Sequence, residues 1–118
     1  MRARDRRALA SHLENLLVHL LKWHYQPEGH QTGHGWADSI REARTQLAEG
    51  LNDAYADSPQ FHHSAVRRYR TARRKASRET GLPLPTFPEA CPWTLEQILD
   101  TAFFPEPSGD PAHKEAPA

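Results

Sequence analysis

The chain has 118 residues, which is enough for one helical or mixed domain but too short for two domains with proper cores. Its 15 basic and 15 acidic residues balance to zero formal charge. One cysteine, Cys91, excludes an internal disulfide and favours a cytoplasmic location. No stretch approaches the roughly 20 apolar residues of a membrane span, so we predict no membrane association.

The zero net charge hides strong segregation along the chain. Residues 1–13 carry a net +3, and residues 14–57 carry −4. Residues 58–80 carry +6, and residues 81–118 carry −5. Such blocks pair with each other inside the fold or bind partners of opposite charge, and the composition leaves both alternatives open.

The first helix is predicted over about Asp5–Gln26, because its leucines recur with helical period. Its apolar arc is wide, so several neighbours must cover it, and we predict that it is the central helix. The predicted structural anchors on this helix are Leu13, Leu17, His19 and Trp23. Pro27 and Gly29 end the helix, since proline cannot continue its hydrogen bonds.

Two further helices follow. The second is predicted over Trp36–Ala56, with a narrow apolar stripe and with Trp36 as an anchor. The third is predicted over Pro59–Thr80, with Ser58 as N-cap and Gly81 ending it. One side of the third helix is predicted to be buried and carries Phe61, Ala65, Val66, Tyr69, Ala72 and Ala76.

Residues 82–93 contain four prolines and four large apolar side chains, which predicts an extended strap packed over the core. Thr94 and Gln97 form a predicted capping box that opens a fourth helix, ending near Phe103. Trp93 is the last predicted anchor. The predicted fold is therefore all-α: a single helical domain over residues 1–104, a small bundle of four helices with a proline-rich strap, and a disordered tail over 105–118.

Four stretches carry a family resemblance. They are His19–Trp23 with Tyr25–Pro27; Trp36 with Ile40–Glu42; Asp57–Pro59; and Glu79–Leu82 with Cys91–Gln97. Together they resemble the bacterial family known as domain of unknown function 29, over about Arg6–Glu106. The resemblance implies an all-helical fold, and it brings no activity, cofactor or catalytic residue.

Relatives in this family usually carry a further N-terminal helical segment before the position of Met1. Without that segment, part of the apolar face of the first helix would be uncovered. Exposed contiguous apolar surface usually binds a partner. We therefore expect self-association or docking to another protein as the first functional hypothesis.

The third helix offers a second hypothesis. Arg67, Arg70, Arg74 and Arg78 share the face opposite its apolar side, a predicted partner surface that would suit phosphates and so nucleic acid. The alternative is a face that is solvated, or neutralised by the acidic blocks of the chain. Aromatic interleaving with the arginines is poor, because Tyr69 lies on the apolar side, and this weakens the nucleic-acid hypothesis.

Eight histidines raise a third hypothesis, a metal- or histidine-dependent enzyme. Zinc takes about four ligands, and no suitable set is spaced for it here, so we predict no metal and no cofactor. His19 could act as a base or a pH switch, but a half-buried histidine donating to a backbone carbonyl, or to a carboxylate such as one from the second helix, explains it more simply. No catalytic motif is present, and we predict that the chain is not an enzyme.

Overall fold

A computed structural model describes residues 3–25 and 35–105. Within these residues the fold is all-α, as predicted, and contains no strand. Five helices are present there: α1 (Ala3–Tyr25), α2 (Trp36–Gly50), α3 (Asp53–Ala56), α4 (Pro59–Thr80) and α5 (Leu95–Leu99). A short 3-10 turn, Leu84–Thr86, lies in the strap of residues 82–93.

The central helix is α1, which packs along α2 and along α4, while α2 and α4 contact each other little. Six leucines form its buried face, and each is 3% exposed or less: Leu9, Leu13, Leu16, Leu17, Leu20 and Leu21. Because neighbours cover this wide apolar arc on two sides, α1 organises the bundle. The prediction of a central first helix is confirmed.

The expectation that part of the apolar face of α1 is uncovered is wrong for the described residues. Besides the leucines, Val18 on the same helix is only 4% exposed. The strap adds to the cover given by α2 and α4, because Phe87 is fully buried in the same cluster. The apolar surface of α1 is thus used within the chain.

The predicted second helix, Trp36–Ala56, is wrong in its length, because the chain breaks between α2 and α3. Leu51 has extended backbone angles (φ −99°, ψ 120°), and the Asn52 side chain accepts a hydrogen bond from the Tyr55 amide at 2.8 Å. Gly50 favours the ending. A Cβ at Gly50 would lie 3.1 Å from Leu9 Cδ2, so its absence allows α2 to end close against α1.

The ends of α4 form as predicted. Ser58 Oγ accepts a hydrogen bond from the Phe61 amide at 3.2 Å, and Pro59 occupies the first helical position, where no amide donor is needed. Gly81 ends the helix in the left-handed region (φ 77°), which favours glycine. Because these capping interactions involve residues only three or four positions apart, they could be identified in the sequence, and the predicted bounds of α4 are confirmed.

The strap is fixed to α4 by hydrogen bonds to its backbone. The Tyr69 hydroxyl donates to the Pro88 carbonyl at 2.6 Å, and Arg73 Nε donates to the Phe87 carbonyl at 2.9 Å. Phe87 is fully buried, whereas Leu84 is 36% exposed. The extended strap is therefore held by its apolar side chains, of which Phe87 is fully buried, and by hydrogen bonds that its backbone carbonyls accept.

The capping box of α5 is present as predicted: the Thr94 side chain accepts from the Gln97 backbone amide, and the Gln97 side-chain oxygen accepts from the Thr94 backbone amide. The predicted end at Phe103 is wrong. Asp100 has extended angles (φ −71°, ψ 119°), and its carboxylate accepts from the Ala102 amide at 2.9 Å, which stabilises a turn. Pro105 is buried; the rest of the predicted tail lies outside the described residues.

Candidate functional site

The basic face of α4 is the most distinctive surface in the described part of the chain. Arg67, Arg70, Arg74 and Arg78 are all exposed, and they follow one another by three or four residues, so they form a row about 16 Å long. Among residues 3–25 and 35–105, none of the four takes part in an ion pair. We call these four residues the arginine row.

The other three basic residues of α4 have hydrogen-bond or ion-pair partners within the fold. Arg68 pairs with Glu14 of α1 at 3.1 Å, and Lys75 pairs with the other oxygen of the same carboxylate. Arg73 donates to the strap. Neutralisation by the acidic residues 14–57, an alternative raised by the sequence, therefore applies to two basic side chains and leaves the arginine row available.

Glu14 connects α1 to α4 as a nearly buried carboxylate, 7% exposed. Burial by itself raises the pKa of Glu14, and this is the largest single influence. The hydrogen bonds and charges of Lys75 and Arg68 together outweigh it, and the pKa ends below its usual value of 4.5. The ionised carboxylate is the form that the fold prefers.

This preference predicts a stability that depends on pH. The unfolded chain protonates Glu14 at a higher pH than the folded chain does, so the contribution is complete above about pH 4.5 and is lost as the pH falls through the lowered pKa. We expect Glu14→Gln to lower the free energy of unfolding at neutral pH by about 1 kcal/mol, a modest value because solvent screens the half-exposed partners.

Urea unfolding between pH 7 and pH 3 measures this effect. We expect the difference between Glu14→Gln and the unchanged chain to shrink toward acid pH. The matched control is Glu49→Gln, which neutralises an exposed carboxylate on α2. A difference that stays constant across the whole range would contradict the assignment of Glu14.

Two large apolar side chains border the arginine row. Val66 is 54% exposed, and Leu84 of the strap is 36% exposed. The prediction that Val66 lies on the buried side of α4 is wrong, because at about 100° per residue it lies roughly 90° from the centre of that side, at its edge. α4 thus presents charge and apolar surface together.

Two cavities lie where α4 meets the strap. The first, about 160 Å³, is lined mainly by the apolar residues Leu17, Ala65, Val66, Trp93, Leu95 and Ile98, with His62 and Cys91. Burial raises the pKa of the Cys91 thiol, which makes it a neutral wall group. The second, about 300 Å³, is lined by Arg70, Arg73, Arg74, Leu84 and Glu89. We call them the apolar cavity and the basic cavity.

The predicted anchors differ in burial. Leu13 and Leu17 are buried, at 0% and 1% exposure. Trp23 and Trp93 are partly buried and pack against the core cluster, and the Trp23 ring contacts Phe104 in a tilted arrangement with 5.0 Å between ring centres. Trp36 is partly buried, and Lys22 lies over its ring. The indole rings thus pack at the borders of the core.

His19 makes the backbone contact that the sequence suggested as the simpler explanation. Its Nδ1 lies 2.8 Å from the Asn15 carbonyl oxygen, which can only accept, so Nδ1 carries the hydrogen. Burial lowers the pKa of His19 below its usual value of 6.5, and the charge of Lys22 acts in the same direction. The ring is therefore neutral at pH 7, and its role is a hydrogen bond to the backbone of α1.

Arg44 is a buried residue that the sequence reasoning missed. It is 3% exposed, and its Nε donates to the Ile98 carbonyl at 2.9 Å while Nη2 approaches the Gln97 carbonyl at 3.4 Å. Its guanidinium also lies over the Phe104 ring at 5.5 Å. A signal was present, because Arg44 lies between Ile40 and Leu47 in the apolar stripe of α2.

Within residues 3–25 and 35–105, no three histidine, cysteine or carboxylate side chains are grouped as metal ligands. His30 and His34, which are four residues apart in the sequence, lie outside the described residues. In the same described ranges, no helix has both the length and the apolar character needed to cross a membrane.

Comparison with known protein families gives a match. The family model described as Domain of unknown function DUF29 matches residues 1–104, which is most of the chain. No curated protein and no solved structure matches the sequence.

Proposed function

Because the chain belongs to the DUF29 family, whose description names no function, we propose a function from the chain's own surface: it is a protein-interaction module in which α4 binds an acidic segment of another protein. One observation carries the proposal. The arginine row is exposed and unpaired among the described residues, and two exposed apolar side chains, Val66 and Leu84, border it.

This combination favours a protein partner. Arginine is enriched in protein interfaces, where its planar group pairs with carboxylates and its stem packs on apolar atoms. The charge of the row increases the association rate with an acidic partner, and the bordering Val66 and Leu84 supply apolar area that charge alone lacks. If this face only contacted water, the arginines would be explained, but the two exposed apolar neighbours would not be.

Self-association is less well supported than binding to another protein. The apolar face of α1, which motivated it, is covered within the chain. A two-fold symmetric dimer formed through the middle of α4 would bring the arginine row of one copy against the same row of the other. Like charges facing each other oppose such a contact, so the partner is expected to differ from this chain.

Nucleic-acid binding is the second candidate, and the length of the arginine row supports it. Four unpaired arginines over about 16 Å suit several backbone phosphates of one strand. However, Tyr69, the aromatic residue nearest to the middle of the row, is 2% exposed and faces the core. It therefore offers no stacking platform for bases.

The proposed module has no catalytic role, metal or cofactor, and its expected setting is the bacterial cytoplasm. Cys91, the one cysteine of the sequence, suits a reducing compartment. The bacterial setting comes from the family resemblance.

The test is affinity capture from a lysate of the native host, with nuclease treatment and with salt varied. We expect the tagged chain to retain an acidic protein, and we expect Arg70→Glu with Arg74→Glu to lose it. In parallel, a random-sequence duplex and a single strand are titrated at about 50 mM salt by fluorescence anisotropy.

The matched control is Arg6→Glu with Arg7→Glu, which makes the same change in net charge on α1, where both residues are exposed. The proposal is supported if the α1 control still captures the acidic protein and the α4 variant does not. Binding of the titrated nucleic acids through Arg70 and Arg74 would replace it by the second candidate. A protein captured equally by all three forms would overturn the role of α4.

A further inference from the structure

We propose that the apolar cavity holds one apolar side chain of the acidic partner segment, while carboxylates of the same segment pair with Arg70 and Arg74 at the basic cavity. This inference rests on the proposed protein-binding function and states what the bound segment must look like. It assigns the junction of α4 and the strap as a two-part peptide site, with an apolar end and a basic end.

The size of the apolar cavity determines the kind of group that fits. Ligand and cofactor sites usually measure about 300–1,000 Å³, so a cavity of about 160 Å³ is too small for a cofactor. A cavity of about 150 Å³ with leucine and phenylalanine walls accepts a benzene molecule. One phenylalanine or leucine side chain therefore fits, and the buried walls Leu17 and Ile98 would contact it.

The opening of the cavity is on the partner's side of α4. Val66 lines the cavity and is 54% exposed, so an incoming side chain passes over it without displacing a buried group. Val66 is also an exposed apolar residue that no contact within the described residues explains. A partner side chain in the cavity would cover Val66, which would explain why an apolar residue is exposed there.

The basic cavity lies along the same edge of α4. Arg70 is one turn and Arg74 two turns beyond Val66, about 6 and 12 Å along the helix axis. Glu89 of the strap lines this cavity against three arginines, so its net charge remains positive. A helical segment with an apolar residue followed by carboxylates one and two turns later matches both distances.

Other occupants fit this pair of cavities less well. A nucleic-acid base in the apolar cavity would bury several donors and acceptors, and His62 and Cys91 are the polar side chains lining it. A phosphate backbone would use the arginines but leave the apolar cavity unfilled. Charge complementarity together with one apolar group therefore points to an acidic peptide.

The test uses two synthetic helical peptides and the full chain. One peptide carries a single phenylalanine followed by glutamates one and two turns later, and the other has alanine in place of the phenylalanine. We expect the phenylalanine peptide to bind at least about tenfold more tightly in fluorescence anisotropy, since burial of the ring supplies the difference.

A variant that fills the cavity isolates this contact. Ala65 lines the cavity and is partly buried, so Ala65→Leu occupies part of its volume without a change in charge. We expect Ala65→Leu to reduce the affinity for the phenylalanine peptide to that for the alanine peptide. Its thermal stability, measured in parallel, shows that it is folded.

The outcomes separate the two levels of the proposal. Equal binding of both peptides, with loss only in the Arg70→Glu and Arg74→Glu variant, overturns the side-chain assignment and leaves the acidic partner. Absence of binding by both peptides, or binding that the arginine variant leaves unchanged, overturns both. Preference for the phenylalanine peptide that Ala65→Leu does not reduce places the ring elsewhere and overturns the cavity assignment.

Discussion

Leu13→Ala is expected to lower the free energy of unfolding by about 3–5 kcal/mol, because it removes a fully buried side chain from the central helix. Both long neighbours, α2 and α4, pack along α1. Neither can move into the space without losing its own contacts, so a cavity remains and adds to the lost transfer energy. Urea unfolding followed by circular dichroism measures the change.

The matched control is Ser11→Ala, an exposed position on the same helix. We expect it to change the stability by less than about 0.5 kcal/mol, as surface substitutions usually do. If Leu13→Ala and Ser11→Ala were equally stable, α1 would not be the centre of the bundle.

Phe87→Ala is the second substitution with a large expected effect, also about 3–5 kcal/mol. The ring is fully buried and contacts Tyr25 edge-to-face, with 5.3 Å between ring centres. The Phe87 backbone carbonyl also accepts a hydrogen bond from Arg73, so displacement of the strap would weaken this bond as well. One side chain therefore couples the proline-rich segment to α1 and α4.

Leu84→Ala is the control within the same strap, and we expect a loss of less than about 1 kcal/mol because Leu84 is 36% exposed. Both variants are compared by chemical unfolding. A small effect of Phe87→Ala, similar to that of Leu84→Ala, would show that the strap is dispensable for the fold.

The proposed binding surface depends on this strap. The apolar and basic cavities both lie between α4 and the strap, and Tyr69 and Arg73 hold the two together. The strap is therefore part of the proposed site as well as of the core. A change that loosens it is expected to weaken stability and peptide binding together, whereas Ala65→Leu affects binding alone.

Much of the fold follows from signals that are close together in the sequence. The leucine period identifies α1 and its buried face. Ser58, Gly81 and Thr94 mark helix ends because their hydrogen bonds reach only three or four residues along the chain. The arginine row was predicted for the same reason, since residues three or four apart on a helix share a face.

Helix ends without such signals were predicted poorly. Nothing within the apolar period of α2 requires a break after Gly50, and the alanines that follow are compatible with a longer helix. The break depends on Asn52 capping α3 and on the close approach of Leu9 to Gly50. The cap was visible in the sequence, but the approach of α1 was not.

The sequence by itself determined the helix period, the caps and the arginine row, because each depends on neighbours within a few residues. Only the tertiary structure decided which charges are paired within the fold and which remain exposed. Arg44 donates to backbone carbonyls 53 and 54 residues away, and Glu14 accepts from Arg68, which is 54 residues away. Val66 likewise remains exposed beside a cavity that the strap helps to line. Partners so distant in sequence are fixed by the packing of whole helices, which no local pattern specifies.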